Sequence, residues 1–203
     1  MYSSSLKKLI EHFKILPGVG PKTAQRMAFH ILAQNKRHQA KQLAETMLEA
    51  LDKIKHCGIC RNFCDDIVCE ICQSTKRQEN ILCIVESPQD IIAIEQTGNF
   101  NGKYFVLHGK LSPLDNIGPK EIGLDILFSL LSSQVKTEII IATNSTVEGE
   151  ATAYYIAKQA EKLEINCSRI AHGIPMGGEL EYLDNSTLAY ALQARVSIKA
   201  TID

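Results

Sequence analysis

The sequence predicts an α/β protein built, in chain order, from an N-terminal helical hairpin, a small four-cysteine metal knuckle, an α/β layer with a mainly parallel sheet, and a C-terminal helical segment. Three observations predict this. Residues 57–72, CGICRNFCDDIVCEIC, carry two closely spaced Cys-x-x-Cys pairs. Before them, apolar residues recur at helical spacing on both sides of a Gly-x-Gly turn. After them, short apolar runs alternate with helical stretches, the pattern of parallel strands covered by helices.

The first helix is expected at 5–15, with Leu6, Leu9, Ile10 and Phe13 on one face and Ser5 as its cap. The turn Leu16-Pro17-Gly18-Val19-Gly20-Pro21 follows, where glycine allows positive φ and Pro21 suits the first turn of a new helix. That helix, about 21–34, places Ala24, Met27, Ala28, Ile31 and Leu32 inward and Lys22, Arg26 and His30 on another face. A hairpin of this kind presents backbone N–H groups at a helix N-terminus, which suits a phosphate. Gly18, Gly20, Lys22 and Arg26 are therefore the candidate DNA-binding residues, and with nothing to read base edges their contact is independent of sequence. The plainer alternative is an ordinary helical turn with solvated lysines. A third helix at 38–55 aligns Leu43, Met47, Leu51 and Ile54, a stripe read as core packing.

In the cysteine block, each two-residue gap lets a tight turn aim two thiolates at one ion, so Cys57, Cys60, Cys69 and Cys72 are the candidate ligands of a Zn²⁺. Four thiolates leave no open position, which makes the metal structural, and one ion per chain supplies folding energy that so small a segment cannot gain by burial. Cys64 lies outside both pairs and is read as a bystander thiol, and His56 as a neighbour.

Beyond the knuckle, strands are expected at 81–85, 104–107, 138–142 and 167–171, and helices at 88–97, 122–133, 147–163 and 186–195. Residues 108–121 form a long loop. Sites in such sheets gather at the carboxyl ends of strands, so Glu86, Asn144, Glu148 and Glu150 are expected to approach one another. Glutamates that merely complement a helix dipole are the alternative for one of Glu148 and Glu150. The stretch Gly98-Asn-Phe-Asn-Gly102-Lys103 imitates a phosphate loop, but it is one residue short, carries Tyr104 in place of the Mg²⁺-binding hydroxyl and precedes a strand. It reads as a turn.

The bulk figures bound the rest. With 203 residues and 45% hydrophobic content, the chain suits one or two small domains with a real core. No signal-type apolar segment follows the start, and no apolar run is long enough for a bilayer, so a cytoplasmic protein with reduced cysteines and no membrane partner is expected. The net charge of −1 conceals an asymmetry: residues 1–56 hold 10 Lys+Arg against 4 Asp+Glu, a balance of +6, leaving −7 for the rest. A basic head suits phosphates, and an acidic body suits basic partner proteins.

Five stretches in this order, LPGVGPKTAQRMAFHIL (16–32), the cysteine block, LHGKLSPLDNIGP (107–119), ATNSTVEGEATAYYIA (142–157) and HGIPMGGELEYLDNSTLAYAL (172–192), resemble the bacterial RecR family of recombination mediators. The resemblance covers nearly the whole chain. It implies a helix-hairpin-helix over 1–56, a four-cysteine zinc finger over 57–72, a Toprim domain over 80–175 and a C-terminal segment over 176–203. It also implies a role at single-stranded gaps in DNA repair with RecA, RecO and RecF, and a homo-oligomer, a dimer or a ring tetramer that encircles DNA. The third strand region looks like the Toprim motif of topoisomerases and primases, Asp-x-Asp followed by Glu-Gly, but Asn144 and Thr146 stand at the aspartate positions while Glu148 is kept. Mg²⁺ wants carboxylate oxygens. The implied reading is a non-enzymatic Toprim fold whose acidic edge, Glu86, Asn144, Glu148 and Glu150, docks a partner protein. The alternatives are a Mg²⁺-dependent Toprim nuclease or primase accessory, and a zinc module that binds only protein. Cys64 occupies a position that is Thr-like in the family.

Overall fold

A computed structural model describes residues 2–133, 137–171 and 173–195, and the chain divides into two compact units, Met1–Lys55 and His56–Asp203. In the first unit, Ser3 rather than Ser5 starts the chain's first helix, α1 (Ser4–Phe13), because its hydroxyl accepts the Leu6 N–H at 3.3 Å. Gly18 takes φ +76° in the turn, and Gly20 and Pro21 open α2 (Pro21–Leu32). A short 3₁₀ turn leads into α3 (Arg37–Lys53). Ala24 and Ala28 are the only buried residues described in this unit.

Two expectations fail here. The stripe on α3 is not core: Leu43, Met47, Leu51 and Ile54 are 52, 53, 79 and 45% exposed, and Leu32 at the end of α2 is 42% exposed. Helical periodicity identifies a face that avoids water, but it does not say that the same chain covers that face.

The two-residue strand β1 (Lys55–His56) straddles the boundary between the units, and with the two-residue β2 (Phe63–Cys64) and the single-turn α4 (Glu70–Gln73) it frames the cysteines. Then come β3 (Gln78–Val85), α5 (Pro88–Gln96), β4 (Gly102–Val106), α6 (Leu124–Ser133), β5 (Glu138–Ala142), α7 (Val147–Glu161), β6 (Asn166–Arg169) and α8 (Asn185–Gln193). The sheet runs β4-β3-β5-β6 with every pair parallel. Strand alternation turns Leu82 and Ile84 to one face, against Leu124, Leu127 and Leu131 of α6 and Ile156 of α7. Cys83 and Val85 turn to the other, with Tyr104 and Ile91. Burial on both faces explains the unbroken apolar run of β3. Ser87 and Asp90 form a reciprocal cap on α5, and Thr146 caps α7.

Element types match the expectations, and ends move by a few residues. The turn after α5 holds only to Asn101, since Gly102 and Lys103 already belong to β4. The C-terminal segment carries α8, capped by Asp184, and none of its described residues is buried. His172 and residues 196–203 lie outside the described residues.

Candidate functional site

β3 is flanked by β4 on one side and β5 on the other, so the strand order reverses between β3 and β5, and Glu86 and Asn144 follow those two strands. Glu86 is 9% exposed and accepts two bonds from Asn144, the backbone N–H at 2.9 Å and the side-chain amide at 2.7 Å. An ionised carboxylate only accepts, so Asn144 must offer its NH₂ to Glu86. Gly149 completes the join. A Cβ there would stand 2.0 Å from the Asn144 carbonyl oxygen and 3.0 Å from Glu86 Oε1.

The two remaining glutamates are held by cations. Glu148 pairs with Lys110 at 3.1 Å, and the same ammonium donates to Thr146 Oγ1 at 3.2 Å. The Glu148 carboxyl lies below its ordinary pKa, first through its own backbone N–H at the start of α7 and then through Lys110. Glu150 pairs with Arg169, which also donates to the Thr143 carbonyl. The edge thus binds Glu86 to Asn144 directly and ties Glu148 and Glu150 to Lys110 and Arg169. Sequence reasoning singles out neither cation. Lys110 sits in the stretch 107–119, but its partner is 38 residues away, and only the topology joins them.

The sulfurs of Cys57, Cys60, Cys69 and Cys72 all lie within 4.8 Å of one another, with Cys60 and Cys69 at 3.5 Å. A Zn²⁺ tetrahedron with bonds of about 2.3 Å has S···S edges of about 3.8 Å, so the donor set fits that ion in kind and size. Cys57 Sγ accepts N–H bonds from Ile59 at 3.5 Å and Cys69 at 3.3 Å. Burial opposes its ionisation, but the N–H bonds prevail and hold its pKa below the ordinary thiol value. Cys64 is outside this set, and its thiol donates to the Asp66 carbonyl at 3.0 Å. His56 stacks on Phe63 and His108, with ring centroids 5.3 and 4.3 Å away. Cys83 is buried in the sheet, which pushes its thiol up to about 12 and leaves it inert.

The knuckle is fastened to the sheet edge. Val106 N–H donates to the Cys60 carbonyl at 2.9 Å. Arg61 donates to the carbonyls of Leu107 at 3.2 Å and Ile122 at 2.6 Å, in space that Gly123 leaves open: a Cβ at Gly123 would stand 2.0 Å from the guanidinium. His108 Nε2 donates to the Arg61 carbonyl at 2.6 Å.

In the helical unit, Lys22 and Arg26 are exposed on α2, and neither has an ion-pair partner among the described residues. Gly20 has φ −81°, a value open to any residue, and nothing crowds the place of its Cβ. The chain's own packing does not explain that glycine.

Residues 6–51 match the RecR helix-hairpin-helix, 80–171 match the Toprim domain, and 173–196 match the RecR C-terminal region. The Recombination protein RecR of Coxiella burnetii (strain RSA 493 / Nine Mile phase I) is 50% identical over 199 residues, which is 98% of this chain and 99% of that protein. With a relative this similar along nearly its full length, the chain belongs to the RecR family of recombination proteins.

Proposed function

We propose that this protein is a non-enzymatic, DNA-binding recombination mediator of DNA repair. It acts in the cytoplasm with RecO and RecF to help load RecA recombinase at single-stranded gaps. The observation that carries this reading is the state of the sheet's carboxyl edge. Glu86 is joined to Asn144, Glu148 to Lys110 and Glu150 to Arg169. A divalent ion at such an edge would have to displace the amide and the ammonium, and two of the aspartates it would use are Asn144 and Thr146. Beside their cations the side chains of Glu148 and Glu150 stay 40 and 49% exposed on a rigid helix start, and this outer rim of the edge is what docks a basic partner surface, with Glu86 buried behind it.

DNA is held elsewhere, at Gly18, Gly20, Lys22 and Arg26. There the two cations are exposed, and the backbone can approach a phosphate without regard to sequence. Single and double strands both present the necessary phosphates. One structural Zn²⁺ per chain sits on Cys57, Cys60, Cys69 and Cys72, with Cys64 a bystander. The apolar face of α3 is where copies meet, which supplies the homo-oligomer, a dimer or a ring tetramer, that one weak hairpin needs for tight binding.

The test is Glu86→Ala. It should reduce capture of RecO and repair of gapped DNA while leaving zinc content and DNA affinity unchanged. Mg²⁺-dependent DNA cleavage or primer synthesis by the wild type, abolished in Glu86→Ala, would establish the nuclease or primase reading instead.

A further inference from the structure

Lys103 ends the stretch that imitates a phosphate loop, and in the fold it is the second residue of β4 and only 8% exposed. Its ammonium donates to three backbone carbonyls: Ile71 at 3.0 Å, Cys72 at 2.9 Å and Ser74 at 2.8 Å. These belong to α4 and the residue that follows it, the turn that carries Cys72. An ammonium has three N–H donors, and here all three are used on neutral carbonyls rather than on a carboxylate. Glu79, on the exposed rim, borders the same small cavity of about 110 Å³ and brings one carboxylate to its mouth. A lysine buried in this way needs compensating negative charge. Cys72 lines that cavity with it. Four thiolates around Zn²⁺ carry a net charge of −2, because four negative ligands outweigh one divalent ion.

We propose that Lys103 is an outer-shell residue of the metal centre, fixing the Cys72 backbone through three carbonyls and offsetting the charge of the tetrathiolate. Each charge then makes the burial of the other tolerable. The partners that orient metal ligands commonly act this way, and their removal costs about 10–100-fold in metal affinity. The proposal rests on the reading of the four cysteines as a zinc site.

The experiment uses the full-length protein, with zinc content from elemental analysis and the rate of zinc transfer to the chelator 4-(2-pyridylazo)resorcinol. Lys103→Met should release zinc about 10-fold faster than wild type or more, whereas Lys103→Arg, which keeps the charge, should stay within about 3-fold. Lys103→Gln, a neutral variant that retains donors, serves if Lys103→Met is insoluble, and it too should accelerate release. Ile156→Val, in the core away from the knuckle, supplies a matched drop in Tm. Wild-type release rates in the neutral variants would overturn the proposal. Equal acceleration in Ile156→Val would also overturn it, because general loosening would then account for the effect. A wild-type protein free of zinc is a distinguishable result that removes the zinc reading itself and this proposal with it.

Discussion

The helical unit and the sheet unit differ in how much apolar core they build. The sheet of the second unit packs a large core: Tyr104, Phe105, Leu107, Ile122, Leu124, Leu127, Ile139 and Ile156 are all at most 1% exposed, although Ile67, Leu114, Val147 and Met176 elsewhere in that unit are 84 to 102% exposed. Among its described residues the helical unit buries two alanines and leaves Leu43, Met47, Leu48 and Leu51 between 52 and 79% exposed. The charges divide the same way. Residues 1–55 hold 10 Lys+Arg against 4 Asp+Glu, whereas the glutamates at the sheet edge already have partners within the chain. One unit has a packed core and a fixed edge. The other keeps apolar and cationic groups open.

The strongest way to break this contrast is to open the packed unit. Cys69→Ser should remove the metal and most of the soluble protein, because in a small metal site metal binding and folding are one event. The damage should spread into the sheet, since the Cys60 carbonyl accepts from Val106 and Arg61 reaches Leu107 and Ile122. Amide exchange should accelerate in β4 and β3 and remain unchanged in α1 and α2. Cys64→Ser should keep one zinc per chain, and elemental analysis decides this. A zinc-free Cys64→Ser protein would sink the ligand assignment.

Matched truncations sharpen the comparison. Ile139→Ala, at a site 0% exposed in the sheet core, should cost about 2–5 kcal/mol in denaturant unfolding. Leu51→Ala, at a site 79% exposed on α3, should fall within about 0.5 kcal/mol for the isolated chain. Its effect should appear in the solution mass, where the smaller apolar area weakens self-association. If Leu51→Ala unfolds a dilute monomer, then α3 is core after all and the contrast between the units fails.

How much of this is legible in the sequence follows from the range of each interaction. The cysteines are legible because their spacing is local and metal geometry demands it. β3 is legible because burial on both faces produces an unbroken apolar run. β6 is harder, being four residues long on the sheet's edge and mostly exposed, so its pattern is weak and the strand lies at 166–169 rather than 167–171. Lys103, Lys110 and Arg169 are illegible as partners because the groups they hold lie 19 to 38 residues away and the strand order alone brings them together. The α3 stripe is legible as apolar, but periodicity carries no sign that it stays uncovered.

A smaller effect tests the charges inside the sheet unit. Arg77 pairs with Glu95, and the Tyr104 hydroxyl donates to the same carboxylate. Arg77 comes first among the causes that hold the Glu95 pKa below its ordinary value of 4.5. A carboxylate lowered on folding stabilises fully above its unfolded pKa, and this stabilisation fades as pH falls through the folded value. Glu95→Gln should therefore cost about 1–3 kcal/mol at pH 7. The gap from wild type should narrow below pH 4.5, as read by urea midpoints across pH. A gap independent of pH would mean that packing rather than charge holds this corner.

The smallest effect on stability, and the most informative about function, belongs to the open cations. Lys22 and Arg26 lie four apart on α2, on one face beside the Gly18-Val19-Gly20 turn, and both are exposed. A cation on a phosphate releases condensed counterions, and this release drives binding that does not depend on sequence. Lys22→Ala and Arg26→Ala should each weaken DNA binding about equally across sequences. Each should also reduce the slope of log affinity against log salt by about 1 for every phosphate that an engaged hairpin no longer neutralises. Several hairpins in one assembly raise the effective concentration at which the second and later ones bind. The same substitutions should therefore cost more affinity in an assembled protein than in a monomeric one. Tm and zinc content should not move, because both side chains are exposed and neither forms an ion pair among the described residues. The measurement is a salt titration of DNA affinity for wild type and both variants at matched protein mass. Unchanged slopes in both would make the basic face mere solvated surface, and the phosphate contacts would then have to be sought on another part of the chain.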